Sequence, residues 1–170
     1  MNNKKTALFI AQAAMIAAIY VVLTYFVNAF QLANGAIQIR LSEALTILPI
    51  FTPAAIPGLF IGCLISNTIT GCVIWDIVFG SLATLLGACF TYLLRNTKFV
   101  FTLPPVVSNV LIVPLILKYA YHLGDAYWFL VITVAIGEVI SCCVCGFLLK
   151  QALWKSRHII FPQMENGEFK

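Results

Sequence analysis

Glu138 is the one charge in a long apolar run between Asp125 and Lys150. An acid at that depth costs about 2.5–3.5 kcal/mol on insertion scales unless something pairs with it or hydrates it. In a membrane chain such a group either receives a ligand or ion, or ties neighbouring helices together. Five more polar residues stand near apolar segments: Arg40, Glu43, Asn67, Asp76 and Asn109. Carboxylates accept hydrogen bonds from ring N–H and amine groups, and Arg or an amide N–H serves a carbonyl. Trp75 and Trp128, with Phe79 and Tyr127 beside them, offer faces to a flat ring. Together these types suit a pocket for a small, flat, hydrogen-bonding molecule. Each also has a plainer reading. Arg40 and Glu43, three apart, can pair with each other, and Glu43 suits a helix N-terminus. Asp76 can be an N-cap. Asn67 can bond a neighbouring helix, and the aromatics can form an interfacial belt. Asn109, counted from Pro105, falls on the far half of its span and reaches the pocket only if the helix breaks or the cavity is deep.

The elements that must position these residues are helices in a bilayer. The chain is 62% hydrophobic and 9% charged, whereas soluble domains carry about 25% charge. The apolar stretch from Ala7 to Val27 follows Lys4 and Lys5, but it is a full span and not the short core of a signal peptide. Six helices are expected, at about Ala7–Val27, Ser42–Phe51, 53–70, Trp75–Leu94, 104–121 and Ala126–Trp154. The second is too short to cross alone, so it and the polar stretch Asn28–Arg40 must be shielded by protein or line a cavity. Pro114 is expected to kink the fifth. The fold class is thus an all-α membrane protein, a compact six-helix bundle over 1–158 with a short tail at 159–170.

With six crossings, Lys4, Lys5, Arg95, Lys98, Lys150, Lys155, Arg157 and Lys170 share one side, and Arg40 and Lys118 the other. That asymmetry predicts a multi-pass protein of the cell membrane with both termini in the cytoplasm. The net charge of +4 is therefore a topology signal and not a nucleic-acid footprint. Glu43, Asn67 and Asp76 then fall at external helix ends, with Glu138 deeper.

On the first helix Ala7, Ala11, Ala14 and Ala18 form a stripe, with Ala13 and Ala17 beside it. Small residues at this spacing let a second helix approach closely. Packing within the bundle and docking of a partner protein fit the stripe equally. Cys142, Cys143 and Cys145 are spread around one helix and lack the usual metal-ligand pattern, so they are read as packing and no metal is expected. No nucleophile–base pair and no GxxxxGK[ST] phosphate loop occurs, so neither an enzyme nor a chain with its own ATPase is expected.

The run Ile37-Gln38-Ile39-Arg40-Leu41-Ser42-Glu43-Ala44-Leu45-Thr46-Ile47-Leu48-Pro49, the following Phe51–Cys63 segment and the later Leu103-Pro104-Pro105 with Ser108-Asn109 resemble the queuosine-precursor transporter (QueT) family. That family belongs to the substrate-binding (S) components of energy-coupling-factor (ECF) transporters. The resemblance implies six helices and a 7-deazaguanine base as substrate. It further implies docking of Ala13-x-x-x-Ala17 and Ala14-x-x-x-Ala18 onto an energising module, a membrane scaffold with two ATPases. Glu138, Asp76 or Glu43 would then take the donor edge of the base, and Arg40, Asn67 or Asn109 its carbonyl. A proton-coupled carrier using Glu138 and Asp76, or an S component for another purine-like vitamin, remain as alternatives.

Overall fold

The computed structural model describes residues 3–30, 40–97 and 100–161. The expected loop 31–39, with the start of the family-like run, lies outside the described residues, as do Lys98 and 162–170. Among the described residues every regular element is a helix. The α-helices are α1 (Asn3–Ala29), α2 (Ala55–Ile69), α3 (Ile74–Leu93), α4 (Leu103–Tyr119), α5 (Tyr127–Glu138), α6 (Gly146–Trp154) and α7 (Arg157–Ile160). A long 3₁₀ helix, Leu41–Ile50, follows α1, and a 3₁₀ turn, Val100–Thr102, leads into α4. A π-helical segment, Val139–Cys145, joins α5 to α6.

Four stretches are long and apolar enough to cross a bilayer: Asn3–Ala29, Ile74–Leu93, Val100–Tyr119 and Tyr127–Trp154. The 27 residues of α1 reach about 40 Å at 1.5 Å per residue, more than the hydrocarbon thickness of about 30 Å. Leu41–Ile50 and α2 are apolar but shorter. The chain is an all-α protein of membrane type. Its lipid-facing residues, such as Ile10, Met15, Val22 and Leu111, are large, apolar and exposed.

Where the sequence predicts an α-helix over Ser42–Phe51, a 3₁₀ helix forms. Pro49 sits inside it and has no N–H to donate. The Thr46 hydroxyl donates to the Glu43 carbonyl at 2.6 Å. Ser42 through Pro49 are all buried, so packing on every side replaces intrinsic stability in a geometry that seldom runs so long. The main core forms around it: Tyr20, Leu45, Ile47, Phe51, Leu59, Cys63 and Phe101. Phe161 joins that core, its ring stacked on Phe51 at 5.3 Å. Within the segment expected to begin the tail at residue 159, Phe161 therefore packs on the bundle, while Ile159 and Ile160 stay exposed.

Small residues set how closely the helices approach. A Cβ at Gly58 would lie 2.7 Å from the Ala13 carbonyl oxygen, and one at Gly62 2.8 Å from the Tyr20 Cβ. Ala13 and Ala17 thus face Gly58 and Gly62 of α2 inside the bundle. Ala11, Ala14 and Ala18 point outward. Gly87 brings α3 onto the start of α4, where its Cβ would lie 2.8 Å from the Pro105 Cα.

Candidate functional site

The end of α2 positions the first part of the site. Gly71 has φ +75°, a conformation cheap only for glycine. Cys72 N–H bonds the Asn67 carbonyl at 3.0 Å and Gly71 N–H bonds that of Thr68 at 3.2 Å, the double closure of a Schellman ending. The chain reverses tightly into α3. Asn67 and Asp76 become neighbours, and the Asn67 amide donates to the Asp76 carbonyl at 3.3 Å. Asp76 lies in the first turn of α3, where the helix dipole favours an anion. Its side chain does not cap the helix; Val73 holds the cap position. The carboxylate turns inward, 4% exposed, to Arg40 at 3.7 Å. Tyr121 donates its hydroxyl to the same oxygen at 3.1 Å. Burial first, and the Asp76 charge second, push the Tyr121 hydroxyl above its ordinary range, so it stays a neutral donor. Arg40 pairs with Asp76 across the bundle in place of its near neighbour Glu43.

The second part lies deeper. Glu43 is 0% exposed. Its Oε1 accepts from the Tyr20 hydroxyl and from Thr84 at 3.3 Å, and its Oε2, also buried, accepts nothing. Across from it Glu138 closes α5, and the Cys142 thiol donates to Glu138 Oε2 at 3.3 Å. Oxygens of Glu43 and Glu138 and the sulfur of Cys142 lie within 4.8 Å of one another. Asn109 of α4, 3% exposed, lies beside both carboxylates. It reaches them because the buried 3₁₀ helix carries Glu43 inward, which the count from Pro105 could not anticipate. Glu138 and Cys142, four apart, share one face where α5 runs into the π segment. Such turns are commonly found at functional sites.

Arg40, Glu43, Asn67, Asp76, Asn109 and Glu138, drawn from five different segments, therefore converge. Trp75 and Trp128 do not join them. They are 58% and 73% exposed, on the outer surface of α3 and α5. Trp75 stacks on Phe79 at 5.9 Å and lines an apolar groove between α3 and α4. This is the geometry of an interfacial belt and not of a cover over the polar cluster. Tyr20, Thr84 and Tyr121 belong to the cluster, yet the sequence reading does not single them out; Cys142, read there as packing, belongs to it as well. Cys142 had a signal, its four-residue spacing from Glu138. Tyr20 and Thr84 are ordinary residues of apolar spans.

The arrangement presents carboxylates, a guanidinium and amides in a low-dielectric setting. It has the donors and acceptors to hold a polar heterocycle by its edge.

A family profile described as QueT transporter matches residues 10–155. Among curated proteins, the chain is similar to the queuosine precursor transporter QueT of Lactococcus lactis subsp. cremoris (strain MG1363), 38% identical over 74 residues. The aligned part is 43% of this chain and 43% of that relative, so the match spans less than half the length of the curated relative. No solved structure matches.

Proposed function

The chain belongs to the QueT transporter family, and from that premise we propose that it is the substrate-binding S component of an ECF-type importer taking up a queuosine precursor, a 7-deazaguanine base. The observation that carries this reading is the buried convergence of Arg40, Asp76 and Asn67 with Glu43, Glu138 and Asn109. A guanine-type edge pairs an amide N–H and an exocyclic amine, both donors, with a carbonyl acceptor. Carboxylates answer the donors, and Arg40 or an amide answers the carbonyl. A site so built rejects rings that lack this edge, because its own buried groups would be left unpaired.

The outward Ala11, Ala14 and Ala18 support docking on an energising module at the cytoplasmic face, a membrane scaffold with two ATPases that would supply the ATP hydrolysis. Ala13 and Ala17 contribute by letting α1 sit close on α2. Both termini lie in the cytoplasm on this reading, and the protein resides in the plasma membrane.

Two measurements test the proposal. A thermal-shift screen of the detergent-solubilised chain against deazapurines, purines and B vitamins should single out 7-deazaguanines, and Asp76→Asn should weaken that response. Uptake should occur only when the energising module is co-expressed. Uptake by the chain alone, abolished by an uncoupler and insensitive to ATP depletion, would instead establish a proton-coupled carrier.

A further inference from the structure

Two cations meet on one ring at the end of α6. The Arg157 guanidinium carbon lies 4.2 Å from the centre of the Trp154 ring. Lys150 Nζ lies 5.7 Å from that centre and 4.3 Å from the centre of Phe101. The ring is held by the core: Phe51 tilts against Trp154 at 6.2 Å and stacks on buried Phe161 at 5.3 Å. The α7 turn is tied in its own right to α1, where the Gln12 amide donates to the Ile160 carbonyl at 3.2 Å. Lys150 and Arg157 are therefore placed by packing and are not loose surface charges. Rings attract cations but do not neutralise them. The described acids stand elsewhere: Glu43, Asp76 and Glu138 in the polar cluster, and Asp125 beyond the opposite end of the Tyr127–Trp154 stretch. The 28 residues of that stretch reach about 42 Å at 1.5 Å each, against a hydrocarbon thickness of about 30 Å. Trp154 thus stands at headgroup depth, and its exposure, with that of Ile159, suits that layer.

We infer that Lys150 and Arg157, spread over Trp154, form a site for the phosphate of an anionic phospholipid. The site is independent of the transported molecule and of the energising module. A phosphate diester presents oxygens that accept from an ammonium and a guanidinium at once. Arg157 Nη1 donates to the Trp154 carbonyl at 2.9 Å, and the rest of the guanidinium fork carries further donors. Depth selects the source: in the plane of Trp154 the concentrated anions are lipid headgroups. A phosphatidylglycerol headgroup brings net negative charge to the two cations. Phosphatidylcholine brings its own ammonium, which the same cations repel.

The test uses the full-length chain in vesicles, with Trp75→Phe and Trp128→Phe leaving Trp154 as the one tryptophan. Phospholipids with brominated acyl chains quench an indole that they touch. Brominated phosphatidylglycerol is expected to quench Trp154 with an apparent affinity about five- to thirtyfold above that of brominated phosphatidylcholine, the scale of one to two basic side chains at a charged surface. Lys150→Gln and Arg157→Gln should each bring that ratio towards one, and Lys150→Arg should keep it, with melting temperatures read alongside to show that the variants fold. Lys155→Gln removes the same charge at an exposed neighbouring position and should leave the ratio as it was. Equal affinities in the reporter chain overturn the site. A ratio that falls as far in Lys155→Gln as in the other two variants reduces the effect to diffuse attraction and overturns it as well. Loss of the ratio in inorganic phosphate, but not in sodium chloride of the same ionic strength, assigns the two cations to a free anion. A ratio of one that rises when Glu165→Gln is combined with Glu168→Gln assigns them to the chain's own acids. Either result overturns the lipid assignment.

Discussion

Tyr20 on α1 donates its hydroxyl to the Glu43 carboxylate, 23 positions further along the chain. The same tyrosine packs against Gly62 of α2, where an added Cβ would lie 2.8 Å from the Tyr20 Cβ. Much of α1 faces outward, and one narrow buried face, Ile16, Ala17, Tyr20 and Val27, joins it to α2 and to the polar cluster. The helix that carries the outward alanines is thus tied directly to the residue proposed to hold ligand.

Tyr20→Phe removes the donor and leaves the ring. Glu43 then keeps Thr84 at 3.3 Å but loses its other partner on Oε1. The expected loss of stability is about 1–3 kcal/mol, the cost of leaving a buried acceptor short of a donor, with weaker ligand binding. Thermal unfolding and binding of the same preparation check this. If both are unchanged, the hydroxyl does nothing for Glu43.

Gly62→Val tests the contact between α1 and α2. Its side chain would meet Tyr20 and also the Ala17 backbone, which lies 3.1 Å from the added Cβ, and backbone cannot swing aside. Overpacking of this kind costs about 1–3 kcal/mol. Gly124, with nothing within 4 Å of its added Cβ, is the control, and Gly124→Ala should leave the melting temperature where it was.

The polar half of the site was legible because charge is rare in this chain: Arg40, Asp76 and Glu138 stand out against apolar neighbours, and a bilayer leaves them few places to go. The helix positions were legible for the same reason, since long apolar runs bounded by Pro, Gly and charge have one solution in lipid. Phase was not. In a span apolar on all sides, periodicity carries little signal, so neither the 3₁₀ geometry of Leu41–Ile50 nor the π turn at Val139–Cys145 shows in the residue pattern. Trp75 and Trp128 look alike in sequence whether they stack on a ligand or sit at an interface. Ala13 and Ala17 look like Ala14 and Ala18, although one pair packs on α2 and the other faces out.

Gly80→Ala probes the outer part of the site without replacing a charged residue. Its Cβ would lie 2.8 Å from Asp76 Oδ1 and 3.4 Å from the Asn67 amide nitrogen. Oδ1 has no hydrogen-bond partner, but Oδ2 of the same carboxylate is held by Arg40 and Tyr121, so the group turns aside only by loosening those contacts. The expected result is a lowered melting temperature together with affinity for a 7-deazaguanine reduced several-fold, read by calorimetry. Unchanged affinity would remove Asp76 Oδ1 from the binding surface.

The two alanine rows of α1 should separate binding from transport. Ala14 and Ala18 are exposed, so Ala14→Trp and Ala18→Trp add bulk where nothing inside the bundle is displaced. A partner helix that relies on close approach over small residues cannot seat on an indole. Ligand affinity of the isolated chain should therefore stay at the wild-type value, while uptake with the energising module falls to background. Ala17 is 7% exposed and sits against Gly62, so Ala17→Trp should lower stability and ligand affinity together. Normal uptake by Ala14→Trp and Ala18→Trp would leave the outward row facing lipid alone, and would move the docking surface to another part of the molecule.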